Sequence, residues 1–228
     1  MMPTPSVGSI AERITHIRAG LPPSVRLIAV TKQVSVEAMR EAYAAGVRDF
    51  GESRIQEAEF KQAQLSDLSD VVWHMIGHLQ GNKAQKALQL FQWIHSVDEL
   101  KLAQRLNRLA ESLPQQPNIC LQVKLLPDPN KYGWTVSQLF QDLTALNQCN
   151  FLNICGLMTI PPVDLTTPEL QSFFQQTHAL AKTIQAKNLP HLQLQELSMG
   201  MSNDYPIAVA AGATMIRLGR VLFGDRQP

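Results

Sequence analysis

Three places in the sequence combine residue types that can do chemistry. Lys32 closes the apolar run 26–32, Arg217 stands inside the apolar run 214–218, and residues 198–204 carry two serines and a glycine. A lysine amine in a partly apolar pocket has a lowered pKa and acts as a nucleophile toward carbonyl groups. A guanidinium and a glycine-bearing loop are suited to an anion. These residues predict covalent chemistry at an amine and phosphate binding nearby.

The glycine-bearing loop is the strongest of the three features. Residues 198–202 (Ser-Met-Gly-Met-Ser) lead from an apolar run into a short helical pattern, and Gly219 follows the next run. Unpaired backbone N–H groups at a helix start favour an anion, and glycine lets the backbone approach phosphate oxygens. Barrel enzymes commonly hold a phosphate between the loops after strands seven and eight. The alternative is a serine N-cap followed by a glycine turn.

The two basic residues also have structural interpretations. A lysine at the end of a strand is usually solvated. Alternation places Arg217 on the same strand face as Met215, and a buried guanidinium needs a partner. That partner is either a carboxylate, Glu196 or Glu52, or a ligand group that accepts a hydrogen bond.

Eight apolar runs must position these residues, and helical patterns stand beside them. The predicted strands cover 26–32, 47–51, 71–76, 93–97, 119–125, 151–158, 192–198 and 214–218. The predicted helices cover 9–19, 35–45, 54–65, 82–91, 98–112, 136–147, 167–187 and 203–211. Buried strands that alternate with helices favour a parallel sheet, and eight units predict a single (β/α)₈ TIM barrel with an extra N-terminal helix. An open doubly wound sheet is the alternative, although no Gly-x-Gly-x-x-Gly turn follows any strand.

Composition excludes several classes of protein. The 228 residues are 45% hydrophobic and 17% charged, with a formal charge of +1, so nothing favours nucleic acid or an anionic membrane as a partner. No apolar run approaches the ~18 residues of a membrane span. Three cysteines without a Cys-x-x-Cys pair, and no signal-peptide pattern, predict a cytoplasmic protein. We expect one domain over residues 1–228, a monomer, and no metal site, since no glutamate follows His74 in the His74–His78 pair.

Several short motifs resemble those of one family. They are Ala29-Val30-Thr31-Lys32, Phe50-Gly51-Glu52, Gln56-Glu57, residues 73–80, Asn82-Lys83, residues 156–160, residues 197–202, Ile216-Arg217-Leu218-Gly219 and Leu222-Phe223-Gly224. Spread over residues 27 to 224, they resemble the YggS/PROSC family of pyridoxal-phosphate homeostasis proteins. The resemblance implies a fold-type III barrel of the alanine-racemase N-terminal kind.

The resemblance also implies a cofactor, pyridoxal 5′-phosphate (PLP), held as a Schiff base on Lys32. The residues implied around its phosphate are Ser198, Met199, Gly200, Ser202, Gly219 and Arg220. Arg217 would face the pyridine nitrogen, while Met158 and His78 would flank the ring or the lysine. Arg220 stands where the family commonly has a threonine, so a hydroxyl contact is replaced by a charged group or by the backbone N–H alone.

The implied role is to buffer, deliver or regulate free cofactor without catalytic turnover, with PLP-dependent apoenzymes or a regulatory protein as partners. Arginine does not give up its proton, so Arg217 would donate to a neutral ring nitrogen and leave the ring a weak electron sink. One rival is a small fold-type III amino-acid racemase, with Tyr132, Tyr205 or His78 as its second base. A more distant rival is a phosphate-ligand barrel in which Lys32 binds charge without a covalent bond.

Overall fold

The computed structural model describes residues 8–128 and 131–224, and these form a closed barrel of parallel strands surrounded by helices. The strands are β1 (Arg26–Val30), β2 (Asp49–Glu52), β3 (Val72–Met75), β4 (Trp93–Val97), β5 (Asn118–Gln122), β6 (Asn153–Met158), β7 (Leu192–Ser198) and β8 (Met215–Leu218). Each strand pairs with the next, and β8 closes on β1. The predicted TIM barrel is therefore confirmed, and the open-sheet alternative is wrong.

Helices alternate with the strands as predicted. They are α1 (Ile10–Ala19), α2 (Val36–Ala44), α3 (Ile55–Gln64), α4 (Ala84–Leu90), α5 (Leu100–Ala110), α6 (Val136–Leu146), α7 (Thr167–Gln185), α8 (Tyr205–Ala210) and α9 (Arg220–Phe223), with a 3₁₀ turn over Gly81–Lys83. The extra helix α1 starts at a capping box, in which Ser9 and Glu12 satisfy each other's backbone N–H groups. The four-residue helix α9 carries no periodic signal in the sequence.

The helices cover the barrel with apolar faces. On α5, Leu102, Leu106 and Ala110 stand four residues apart and are buried, while Arg105 and Arg108 lie on the more exposed side. Within the described ranges no helix combines the length and apolarity required to cross a lipid bilayer.

The inside of the barrel holds a separate apolar cluster, whose buried members are Ile28, Trp93, Cys120, Cys155, Met158 and Met215. Several polar side chains share that interior, among them His74, His95, Ser198 and Arg217. A polar group in an apolar interior is costly unless it is hydrogen-bonded, so these residues need partners.

Candidate functional site

Lys32 lies at the C-terminal rim of the barrel, two residues beyond β1 rather than inside the strand as predicted. The N–H of Thr31 still donates to the carbonyl of Gly51 (3.0 Å), but Gln33 has a φ of 60°. This left-handed conformation turns the chain away from the barrel directly after Lys32. The residue is half-buried, and the reactivity of its amine stays a prediction.

A buried ion-pair network holds the residues on both sides of this lysine. Lys61 Nζ, on α3, donates to the Thr31 carbonyl (2.6 Å), to Glu52 Oε1 (2.8 Å) and to Glu57 Oε1 (2.6 Å). Glu57 Oε1 also accepts from the N–H of Gln33 (2.6 Å). The segment that carries Lys32 is therefore anchored before and after the lysine by one ammonium group and two carboxylates.

Burial decides the electrostatics of this network. Lys61 is 4% exposed and Glu52 is fully buried. Burial raises the pKa of Glu52, and the hydrogen bonds from Lys61 and Thr31 oppose that rise. Burial also acts to raise the pKa of Glu57, but hydrogen bonds from Lys61 and from the Gln33 N–H outweigh it, so that pKa is lowered. Lys61 thus compensates two carboxylates at once.

Arg217 lies in the barrel interior, on the same face of β8 as Met215, and is 5% exposed. Its Nη1 donates to Ser198 Oγ (2.6 Å), and its Nη2 donates to the carbonyl oxygen of Thr159 (2.9 Å). Burial lowers the pKa of Arg217 to about 10, with Asp204 opposing the shift. The guanidinium therefore stays charged at neutral pH, although both of these acceptors are neutral.

The carboxylate partner considered for Arg217 is not found, and that interpretation is wrong for both candidates. Glu196 Oε2 accepts a hydrogen bond from the Thr214 hydroxyl (2.5 Å), and Glu52 pairs with Lys61. In the part of the chain that the structure describes, no carboxylate forms an ion pair with Arg217. A buried cation that forms no ion pair with a carboxylate favours a ligand group that is anionic or accepts a hydrogen bond.

Gly200 gives the loop after β7 its shape. Its φ is +96°, and a Cβ at this position would lie 2.8 Å from the Cβ of Ala208, so only glycine fits without a shift. The Gly200 carbonyl accepts from the Arg217 N–H (2.9 Å), and the Met199 N–H donates to the Met215 carbonyl (3.1 Å). The predicted loop is therefore bound to β8 through its backbone, with the Met199 side chain fully buried.

The loops after β7 and β8 meet at the rim. Arg220 Nη2 donates to Asn203 Oδ1 (3.3 Å). None of the described residues accepts a hydrogen bond from the backbone N–H of Ser202, Asn203, Gly219 or Arg220. Unpaired N–H groups on adjoining turns make an anion-binding concavity. The structure thus brings these predicted residues together, and their contact with a phosphate stays a prediction.

Ser198 and Met158 end the neighbouring strands β7 and β6 in register with each other, and both are buried. The Ser198 hydroxyl lies 2.6 Å from Arg217 Nη1 and 2.8 Å from His95 Nδ1. Because Arg217 can only donate, the hydroxyl proton is directed to His95. The Ser198 side chain is therefore occupied inside the barrel, and this arrangement does not support it as a donor to a phosphate.

His78 lies at the C-terminal end of the barrel, as Lys32 does, in the loop after β3. Its Nδ1 is 2.9 Å from Asp98 Oδ2, and its ring stacks on Tyr132 with ring centroids 3.6 Å apart. Burial raises the pKa of Asp98, and His78 opposes that rise. A cavity of about 670 Å³ opens beside these three residues. Within the described part of the chain, neither Lys32 nor Arg217 lines it.

Sequence reasoning missed two groups of functional interest, Lys61 and the His74–His95 pair. Lys61 occupies a place in the spacing of the buried face of α3, between Ala58 and Leu65, and this spacing was the available signal. For the two histidines, only their position inside apolar strands could have indicated burial.

The barrel, the lysine beyond β1, the buried arginine on β8 and the N–H-bearing loops define the class of fold-type III barrels. The model of the family described as "Alanine racemase, N-terminal domain" matches residues 6–227. An alanine racemase of Clostridium difficile shares the fold, with a TM-score of 0.75 and 14% identity over 96% of this chain and 57% of that one.

Relatives with higher sequence identity identify the family within the class of fold-type III barrels. A "Pyridoxal phosphate homeostasis protein" of Synechocystis sp. is 53% identical over 93% of this chain and 96% of the relative, and its Escherichia coli K12 namesake is 34% identical over 90% and 87%. PipY of Synechococcus elongatus, solved with PLP bound, has a TM-score of 0.91 and 54% identity over 95% of this chain and 100% of that chain. The chain belongs to the family of pyridoxal phosphate homeostasis proteins, which confirms the resemblance seen in the sequence.

Proposed function

We propose that the protein binds pyridoxal 5′-phosphate and takes part in the homeostasis of this cofactor by buffering, delivering or regulating its supply. The observation that carries this conclusion is the buried charge of Arg217, with which no described carboxylate forms an ion pair, on the inner face next to the loops with unpaired N–H groups. The relatives that share the whole chain are named for the same role, and PipY has been solved with PLP.

The residues present fit this cofactor. The backbone N–H groups of Ser202, Gly219 and Arg220 hold the phosphate, and the left-handed Gly200 keeps side-chain bulk away from their loop. When bound, PLP supplies an aldehyde that condenses with the Lys32 amine and releases water, which stores the cofactor covalently as a Schiff base. The segment around Lys32 needs the anchoring network because the amine must stay near the rim that holds the phosphate.

Arg217 determines how reactive the stored cofactor is. A carboxylate beside a pyridine nitrogen keeps the nitrogen protonated, whereas a charged arginine donates a hydrogen bond and leaves it neutral. Since Arg217 remains charged at neutral pH, the ring is a weak electron sink. This setting suits a carrier or regulator without catalytic turnover.

An amino-acid racemase is the second candidate, because the His78–Asp98 pair and Tyr132 lie together beside a cavity and resemble a base with its orienting group. Incubation with amino acids in deuterated water separates the two functions. The carrier exchanges no α-hydrogen on a catalytic timescale. Rapid exchange that His78→Ala abolishes would establish the racemase instead.

The absorption spectrum of the protein mixed with PLP tests the proposed function. We expect a band near the blue edge of the visible that Lys32→Ala removes. Lys131→Ala, which alters a lysine after β5 that donates to the Pro161 carbonyl, should retain the band. A wild-type protein that produces no such band, or a band that survives Lys32→Ala, would contradict the assignment.

We further propose that the protein is a cytoplasmic monomer that exchanges PLP with PLP-dependent apoenzymes or a regulatory protein. The closed barrel, in which β8 pairs with β1, leaves no sheet edge among the described strands for a second copy to extend. Light scattering with and without PLP should give the mass of one chain. A stable dimer would refute the monomer while leaving cofactor binding untouched.

A further inference from the structure

A continuous chain of hydrogen-bonded polar side chains crosses the barrel interior. Arg217 Nη1 is 2.6 Å from Ser198 Oγ, which is 2.8 Å from His95 Nδ1. His95 Nε2 is 2.9 Å from His74 Nδ1, and His74 Nε2 is 2.9 Å from Asp49 Oδ1. Five strands contribute one residue each, and the chain passes through an otherwise apolar cluster.

The two ends of the hydrogen-bonded chain lie on the two strands that flank β1. Arg217 on β8 and Asp49 on β2 are both in register with Ile28. Asp49 has a side chain that is 19% exposed and lies 3.5 Å from Arg26, the first residue of β1. The middle of the chain is closed to solvent, since His74 and His95 are fully buried.

The chemistry of the two ends fixes every proton between them. Arg217 can only donate, and an ionised Asp49 can only accept. A neutral histidine has one donor and one acceptor nitrogen, so the Ser198 hydroxyl donates to His95, His95 Nε2–H donates to His74, and His74 Nε2–H donates to Asp49. Burial lowers the pKa of His74 and lowers that of His95 further, which agrees with two neutral rings.

The opposite direction of hydrogen bonding is unfavourable at both ends. It would require a proton on the carboxyl of Asp49, which faces the positive charge of Arg26. It would also leave the Ser198 hydroxyl proton without an acceptor on this path, because Arg217 offers none. An unmade hydrogen bond in a buried site is costly.

We propose that His74 and His95 are positioning residues for Arg217, which hold the Ser198 hydroxyl with its lone pair toward the guanidinium and so fix the direction of the remaining guanidinium donors. Asp49, at the other end of the hydrogen-bonded chain, sets the direction of every hydrogen bond in it. The effect on a bound ring rests on the proposed function, because Arg217 acts on the ring nitrogen only if PLP is the ligand.

The tautomers of the two histidines test the chain in the protein without cofactor. Nitrogen NMR of the ¹⁵N-histidine-labelled protein at neutral pH should show both rings neutral, each with its proton on Nε2. A proton on Nδ1 of either ring, or a charged ring at pH 7, would overturn the proposal. Because no cofactor is present, this result is independent of whether PLP binds.

A pair of variants at His95 tests the effect on the cofactor. His95→Leu removes both hydrogen bonds, and we expect it to shift the absorption maximum of bound PLP and weaken binding about tenfold, the effect of misdirecting one hydrogen bond from a charged group. His95→Gln, whose amide accepts with oxygen and donates with nitrogen, should restore the wild-type spectrum. His178→Gln, which alters a histidine on α7 that contacts the Ala211 carbonyl, is the matched control.

The outcomes separate the two proposals. If the wild type binds PLP but His95→Leu and His95→Gln give the same spectrum as the wild type, the positioning role is refuted and the proposed function stands. If the wild type binds no PLP, the proposed function fails, while the tautomers still decide the hydrogen-bonded chain. If His95→Leu does not fold, the comparison of His74→Leu with His74→Gln replaces it, since only His74→Leu breaks the chain, at a residue that does not touch Arg217, and should shift the spectrum.

Discussion

Replacing Lys61 by methionine tests the anchoring network most sharply. The substitution keeps an unbranched apolar side chain but removes the ammonium group and its hydrogen bonds to Thr31, Glu52 and Glu57. The Oε2 atom of Glu52 is already buried without a hydrogen-bond partner in the described part of the chain, so the variant leaves a poorly compensated buried carboxylate. Removing one partner of a buried ion pair costs about 3–5 kcal/mol, a large share of the roughly 5–15 kcal/mol that stabilises a domain.

Urea denaturation at pH 7 measures this loss, and its pH dependence identifies the cause. Burial raises the pKa of Glu52, and loss of Lys61 raises it further. A carboxyl whose folded pKa exceeds its unfolded pKa gains stability as the pH falls through the folded value. The loss of unfolding free energy caused by Lys61→Met should therefore become smaller as the pH falls. Adding Glu52→Gln to the Lys61→Met protein should recover part of this free energy at pH 7.

Lys86→Met is the matched control, because it removes a lysine that pairs with Glu59 on the surface. An exposed pair contributes at most about 1 kcal/mol. If Lys61→Met were no more destabilising than Lys86→Met, or if its deficit did not change with pH, the network would not be the anchor described here.

Three further outcomes follow from the geometry. Gly200→Ala should lower the free energy of unfolding by about 1–2 kcal/mol for the backbone alone and weaken PLP binding in titrations, because Gly200 has a φ of +96° and a Cβ there would lie 2.8 Å from that of Ala208. Gly20→Ala, at a φ of −96°, is the control and should do neither. The free energy of unfolding should fall as the pH drops below about 6.5, because the unfolded chain takes up protons that the buried His74 and His95 do not. Urea denaturation should show that this free energy changes by up to about 1.4 kcal/mol per pH unit for each ring. An unchanged pH dependence in His95→Gln would contradict this prediction. Arg217→Glu should alter the spectrum of bound PLP without preventing its covalent attachment to Lys32; an unchanged spectrum would place Arg217 away from the ring.

The barrel could be predicted because its signal is repeated. Strands buried on both faces give continuous apolar runs, and helices of period 3.6 separate the eight runs, so errors of one to three residues at strand ends do not change the fold. The end of β1 illustrates such an error in a predicted strand boundary. The run 26–32 is apolar up to Lys32, but the left-handed Gln33 and the hydrogen bonds of Lys61 end β1 at Val30.

The site could be predicted only where its residues follow a local rule. Alternation placed Arg217 on the same face of β8 as Met215, and a glycine between two serines marked the predicted phosphate loop. The hydrogen-bonded chain that begins at Arg217 follows no local rule. Its members Ser198 and His95 are 103 residues apart in the sequence, and their contact exists only once the barrel closes. A strand that is buried on both faces also gives no indication of which face points inward, so His95 could not be assigned to the interior from its neighbours.

Borohydride reduction followed by peptide mass analysis tests the central claim most directly. Reduction makes the bond between PLP and its lysine permanent, so digestion and mass spectrometry identify the modified residue. The account predicts that Lys32 carries the phosphopyridoxyl group in the wild type and that substoichiometric PLP labels no other lysine first. Preferential labelling of any other lysine, or none in a protein saturated with PLP, would contradict it.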